Sequence, residues 1–241
     1  RVLFSNFTLD NEHRQIMFLN PREDKTELIS RFETMLKDGS ADFFDSSSWE
    51  DIIDYYLQNM QYEKAGIAAA MAMDTYTSSP ELSLICAEAF IYDGNTERAG
   101  ELLDRLEVLS GSNPEYLVAK GMYFSAIKNP KDAIECFLAA YPDYDDYFQI
   151  NVLLGEEYAA VGNLGLAAKY FQKAVLSNPA DTEAIARLAD IYAYSQNHEQ
   201  AVRFFNRLID ADPYNADAWH QLGVFYCRDE KWDPPSGTLY R

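Results

Sequence analysis

The chain is poor in cysteine, glycine and proline, and it has no long apolar run. Its 241 residues include three cysteines, Cys86, Cys136 and Cys227, which lie far apart and form no Cys-x-x-Cys pair. An odd, scattered set of thiols argues against a disulfide framework or a zinc site and favours reduced cysteines in a cytoplasmic protein. No segment approaches the roughly 18 apolar residues of a membrane-spanning helix. With 11 glycines, 9 prolines and 48% apolar residues, the chain is expected to fold around a core.

Positive charge is also scarce, because 20 lysine and arginine residues stand against 39 acidic residues and give a net charge of −19. A surface this acidic repels phosphate backbones and anionic lipid heads, so neither nucleic acid nor a membrane is expected as a partner. The same acidity keeps a helical protein in solution, so charge alone assigns no function.

What the sequence does contain is a strict period of 34 residues. Small residues recur at one position of the period, namely Ala65, Ala99, Ala133, Ala167 and Ala201. Aromatic residues recur at another, namely Tyr56, Phe90, Phe124, Tyr158, Tyr192 and Tyr226. Successive intervals of equal length without an insertion indicate an internal repeat. Its best copy is 148–181, where Leu154, Gly155 and Tyr158 precede Ala167 and Phe171.

These residues at these spacings resemble the tetratricopeptide repeat, whose pattern is W-x2-L-G-x2-Y, then A-x3-F, then P. The resemblance covers 46–229 and implies an all-α fold, a right-handed α-α superhelix (solenoid) of helix-turn-helix repeats. It implies five whole repeats, at 46–79, 80–113, 114–147, 148–181 and 182–215. Of a sixth repeat it implies the first helix alone, at 216–229. Gly155 and Gly223 are expected where the two helices of a repeat touch. Turns are expected at Gly94, Lys128, Gly162 and Gln196.

The segments that flank the repeats need separate interpretations. Apolar residues at helical spacing, from Leu28 and Phe32 to Leu36, predict a helix over 24–39 that covers the first repeat. Residues 1–23 fit one or two short strands or an irregular arm. We therefore expect an N-terminal arm and capping helix over 1–45, a repeat array over 46–229 and a tail over 230–241.

The C-terminal end is expected to be open. Pro234 and Pro235 prevent a second helix from forming after the first helix of the sixth repeat. Its apolar face, with Trp219, Leu222 and Tyr226, is then expected to be exposed, which indicates a longer array or self-association through this end.

No catalytic pattern appears in the sequence. The motifs H-E-x-x-H and G-x-S-x-G and the phosphate loop are all absent. We therefore expect a protein that is not an enzyme and that uses no cofactor and no metal.

The resemblance instead implies that function lies on a concave groove lined by the first helices of the repeats. The candidate groove residues are the side chains that the repeat pattern leaves free: Glu50, Asp54, Glu88, Tyr92, Met122, Glu156, Arg187, Asp190, Tyr194 and His220. Because acids and aromatic residues dominate this set, a basic or apolar peptide or protein segment is the expected ligand. The lysine and asparagine residues with which some family members clamp a chaperone tail are absent here, so that ligand is not expected.

Two other interpretations of the acidic residues remain open. They can form a merely solvated helix face, or the binding surface can lie elsewhere on the chain. The expected function is a protein–protein interaction scaffold, and the alternative is a structural module that forms homo-oligomers through its C-terminal end.

Overall fold

A computed structural model describes residues 25–76 and 78–228, and every regular element in these two ranges is an α-helix. In chain order the helices are α1 (Lys25–Asp38), α2 (Ser46–Gln58), α3 (Tyr62–Thr75), α4 (Pro80–Tyr92), α5 (Thr96–Ser110), α6 (Pro114–Ala126), α7 (Pro130–Ala140), α8 (Tyr147–Ala160), α9 (Leu164–Ser177), α10 (Thr182–Tyr194), α11 (His198–Ala211) and α12 (Ala216–Arg228). The predicted all-α fold of helix-turn-helix repeats is confirmed. The predicted arm at 1–23 and tail at 230–241 lie outside the described residues.

The period of the sequence is also a period of the backbone. One residue with φ between 54° and 84° closes the first helix of successive pairs, at Met60, Gly94, Lys128, Gly162 and Gln196. After Gly162, for example, Asn163 N donates to the carbonyl oxygen of Tyr158, five residues back, at 2.8 Å, which is a common way to end a helix. The predicted turns are therefore confirmed, although three of the five left-handed positions are not glycine.

Short polar side chains begin many of the helices. Asn163 Oδ1 accepts from Leu166 N at 3.2 Å at the start of α9, and Asp181 Oδ1 accepts from Ala184 N at 2.8 Å at the start of α10. Such caps satisfy an amide that has no partner inside the helix, and each contributes about 1 kcal/mol. They fix where the helices of a pair begin.

The described residues form two compact units that divide between Asp93 and Gly94. In the first unit, the ring of Phe32 on α1 lies 5.8 Å from that of Trp49 and 5.7 Å from that of Tyr56, both on α2. The helix predicted over 24–39 is thus confirmed as α1, with Leu28 and Phe32 buried. Leu36, predicted on the same face, is exposed.

In the second unit, close contacts at glycines bring the two helices of a pair together. A Cβ atom added to Gly155 on α8 would lie 2.6 Å from Cδ2 of Phe171 on α9, so only hydrogen fits there. At Gly223 on α12 no described atom lies within 4 Å of an added Cβ. The predicted contact there would involve residues after 228, which lie outside the described residues, so it stays a prediction.

The face of α12 is less open than expected. Leu222 and Phe225 are buried, because Phe225 stacks on Phe205 of α11 at 6.0 Å between ring centroids. Only Trp219 of the predicted apolar face is largely exposed, and its Nε1–H donates to the Pro213 carbonyl oxygen at 2.9 Å.

Candidate functional site

Four of the ten candidate residues lie around one pocket of the second unit. Glu156 on α8 and Arg187, Asp190 and Tyr194 on α10 line it together with an apolar floor. The floor consists of Ala159, Ala160, Leu164, Phe171 and Ile191. We call this cavity of about 530 Å³ the α8–α10 pocket. Its volume is in the usual range for ligand sites, roughly 300 to 1,000 Å³.

The helical period explains why these side chains meet. Arg187, Asp190 and Tyr194 are three and four residues apart, so they lie on one face of α10. The opposite face of α10 carries Leu188 and Tyr192, which are buried in the core. The core positions of the repeat therefore fix which α10 side chains reach the pocket.

Acidic charge dominates the rim of the α8–α10 pocket. Arg187 Nε lies 3.6 Å from Glu156 Oε1, and Arg187 Nη2 lies 3.7 Å from Glu183 Oε1. Asp190 forms no ion pair or hydrogen bond with any residue in 25–76 or 78–228. The carboxylates of Glu156 and Asp190 and one guanidinium thus line the pocket, which keeps one net negative charge. Because the ion pairs are exposed, each is worth at most about 1 kcal/mol and can exchange partners.

The first unit holds a separate set of candidates, which we call the α2–α4 patch: Glu50, Asp54, Glu88 and Tyr92. Burial raises the pKa of Glu88 to about 7, and the nearby charge of Asp54 adds to this rise. Burial also raises the pKa of Glu50. Tyr92 stacks on Tyr62 of α3 with ring centroids 5.0 Å apart. Glu50 and Glu88 are therefore partly buried side chains.

A lysine of the same chain already lies against the α2–α4 patch. Lys25 Nζ at the start of α1 is 3.5 Å from Asp51 Oδ1 and 3.8 Å from Asp54 Oδ2. Gln58 Nε2 also donates to both carboxylate oxygens of Asp54. This surface accepts cationic and amide donors.

The two remaining candidates lie outside both groups. Met122 on α6 is only 7% exposed, so it belongs to the core and does not line a surface, contrary to its expected place in the groove. Met122 is apolar and gains from burial at a position where other repeats carry an acid. His220 on α12 is exposed but does not line the α8–α10 pocket.

The repeat pattern gave no signal for a polar cluster between α7, α8 and α9. Lys173 Nζ donates to Tyr141 Oη at 2.9 Å and lies 4.9 Å from the ring centroid of Tyr170. Tyr141 Oη–H donates to Tyr147 Oη at 2.7 Å, and this hydrogen bond lowers the pKa of Tyr147. Asn151, fully buried, donates to the carbonyl oxygen of Tyr147. The cluster satisfies the polar groups of the buried Asn151, and none of its members was a candidate.

Metal and thiol chemistry have little support in the residues that the structure describes. No group of three histidine, cysteine, aspartate or glutamate side chains is placed to hold a metal ion in 25–76 or 78–228. All three cysteines are free, and burial raises the pKa of the Cys86 thiol to about 12, so it is unreactive at neutral pH. Of the described helices, none has both the length and the apolar character needed to cross a membrane.

Comparison with known proteins identifies the repeats. Residues 158–233 match the sequence profile of the family described as Tetratricopeptide repeat. A curated relative is the probable UDP-N-acetylglucosamine–peptide N-acetylglucosaminyltransferase SPINDLY of Hordeum vulgare, 27% identical over 130 residues. That match spans 51% of this chain but only 14% of the relative.

Solved structures show the same fold at low sequence identity. The Cut9–Hcn1 hetero-tetramer of the APC/C superposes with a TM-score of 0.60 and 16% identity, over 84% of this chain and 39% of that one. A thermophilic TPR protein of Thermus thermophilus gives 0.57 and 14%, over 76% of this chain and 100% of that one. The pilF protein of Pseudomonas aeruginosa gives 0.56 and 16%, over 76% and 89%.

Proposed function

Because the chain is a tetratricopeptide repeat protein, we propose that it is a non-enzymatic scaffold that binds a segment of a partner protein along the first helices of its repeats. The observation that carries this proposal is the α8–α10 pocket, where four residues chosen from the repeat pattern surround one cavity. The acidic rim of the pocket and the net charge of −19 favour a basic or partly apolar segment. We also propose that the protein is cytoplasmic, because its three cysteines are free and reduced thiols are typical of that compartment.

Charge reversal tests this function. The variant Glu88→Lys, Glu156→Lys, Asp190→Lys is expected to lower partner recovery in a pull-down about tenfold, because like charges then face a basic segment. Partners are first captured from native cell extract on the unchanged chain and quantified by mass spectrometry.

A matched control separates the surface from the total charge. Glu97→Lys, Glu101→Lys, Glu135→Lys makes the same charge change at exposed positions on second helices and is expected to keep recovery. Circular dichroism checks that both variants fold. Equal recovery by the two variants would remove the support for binding along the first helices.

Self-association is the second candidate function, and exposed aromatic rings at the start of α12 favour it. Trp219 is 53% exposed and Tyr214 is 93% exposed. If α12 mediates contact between copies, light scattering is expected to show a mass that rises with concentration. Trp219→Ala should then give a monomer, while Tyr194→Ala, at another exposed ring, should not. A constant monomer mass over the whole series excludes this function.

A further inference from the structure

The rim of the α8–α10 pocket offers one carboxylate that the rest of the described chain does not use. Arg187 is held between Glu156 and Glu183, at 3.6 and 3.7 Å, so its charge is already matched. Asp190, three residues further along the same face of α10, makes no contact of that kind within the described ranges. A bound anion would meet the carboxylates of Glu156 and Asp190, while the one guanidinium of the lining is already paired. The charges therefore select a cation as the occupant.

The residues around Asp190 favour one cationic side chain over the other. Tyr194 lies one helical turn after Asp190, and its ring is 82% exposed. A flat guanidinium can pair with a carboxylate through two hydrogen bonds and also lie on an aromatic face, whereas an ammonium acts as a point charge. Below the rim, Leu164 and Ile191 provide an apolar floor for the methylene stem that precedes the charged group.

We propose that the α8–α10 pocket takes an arginine side chain of the bound segment, with the guanidinium on Asp190 and Tyr194 and the stem on Leu164 and Ile191. This assignment rests on the scaffold function proposed above and names the residue that the scaffold reads at this point. According to this proposal, the fourth and fifth repeats select their ligand by the contact with one arginine side chain.

The test uses the full chain and immobilised short peptides that differ only in the central residue. The central residue is arginine, lysine, citrulline or leucine, and each is set in the same collection of flanking sequences. Arginine-centred peptides are expected to bind about tenfold more tightly than lysine- or citrulline-centred peptides with the same flanks. Citrulline keeps the planar shape without the charge, and lysine keeps the charge without the planar shape.

Variants then place the contact in the pocket. Asp190→Asn is expected to weaken the arginine-centred peptides about tenfold and to bring them to the level of citrulline. Tyr194→Leu is expected to weaken them about threefold, because it removes the aromatic face but keeps apolar contact. Glu199→Gln removes an exposed carboxylate on α11, outside the pocket, and is expected to change nothing.

The possible failures point to different conclusions. Binding that depends on the flanks but not on the central residue overturns the arginine pocket and leaves the scaffold function standing. Arginine-selective binding that survives Asp190→Asn also overturns the assignment to this pocket. If no peptide of any class binds, both the pocket and segment binding by the scaffold are rejected.

Discussion

Replacing Gly155 by alanine is expected to lower the free energy of unfolding by about 2 kcal/mol, although alanine is the better helix former. The new methyl group would lie 2.6 Å from Cδ2 of Phe171, well inside contact distance. Phe171 is fully buried and cannot turn away without disturbing its neighbours. The loss from this clash therefore exceeds the gain of up to about 1 kcal/mol that removing a mid-helix glycine provides.

Gly223 is the matched control, because it holds the same position two repeats later. An alanine Cβ there meets no described atom within 4 Å, so Gly223→Ala is expected to raise the free energy of unfolding by up to about 1 kcal/mol. Urea unfolding followed by circular dichroism measures both variants. Equal effects at the two sites would show that the contact between α8 and Phe171 is not tight.

A double-mutant cycle attributes the loss to one contact. Phe171→Leu makes room beside residue 155 at some cost of its own, and the double variant Gly155→Ala, Phe171→Leu is expected to be more stable than the two single effects predict. Strict additivity would assign the destabilisation to another neighbour of Gly155. Because Phe171 also forms the floor of the α8–α10 pocket, the same pair links the stability of the fourth repeat to its binding surface.

The repeat period predicted the helices and turns well because both depend on local chemistry. The left-handed residues fall at every predicted turn, at Lys128 and Gln196 as well as at the glycines. The period also predicted that Glu156 and Asp190 lie on solvent-facing sides of first helices, and they meet in one pocket. The period of 3.6 residues per turn is enough to predict from the sequence which side of a helix these two residues occupy.

Burial at a fixed repeat position could not be predicted in the same way. Asp54, Glu88, Met122, Glu156 and Asp190 lie 34 residues apart, at one position of successive repeats. Glu156 and Asp190 are exposed and Glu88 is partly buried, while Met122 is in the core. The period states which side of a helix a residue occupies, but neighbouring helices decide how much of that side they cover. The boundary between Asp93 and Gly94, inside the second predicted repeat, also had no sequence signal.

Glu88 shows the energetic consequence of that coverage, and Glu88→Gln is expected to stabilise the first unit at alkaline pH. Burial, aided by the charge of Asp54, raises the pKa of Glu88 from 4.5 to about 7. In the window between these values the folded chain holds a proton that the unfolded chain has released. Stability therefore falls as pH rises through this window, and the full cost of the ionised carboxylate is present above it. Glutamine keeps the shape of the side chain and removes that cost.

The expected gain is about 2 kcal/mol at about pH 8, and it should vanish at about pH 3, well below 4.5, where both states hold the proton. A pKa rise of this size corresponds to roughly 3 kcal/mol, and partial contact with solvent reduces it. Hydrogen exchange of the α4 amides, read by mass spectrometry across this pH range, follows the first unit by itself. Glu63→Gln removes an exposed carboxylate on α3 and should change the exchange little at any pH. If the gain from Glu88→Gln were the same at every pH, burial of the ionised Glu88 carboxylate would not lower the free energy of unfolding. The acidic surface of α2 and α4 would then be a solvated face, and the case for a binding surface on the first unit would be lost.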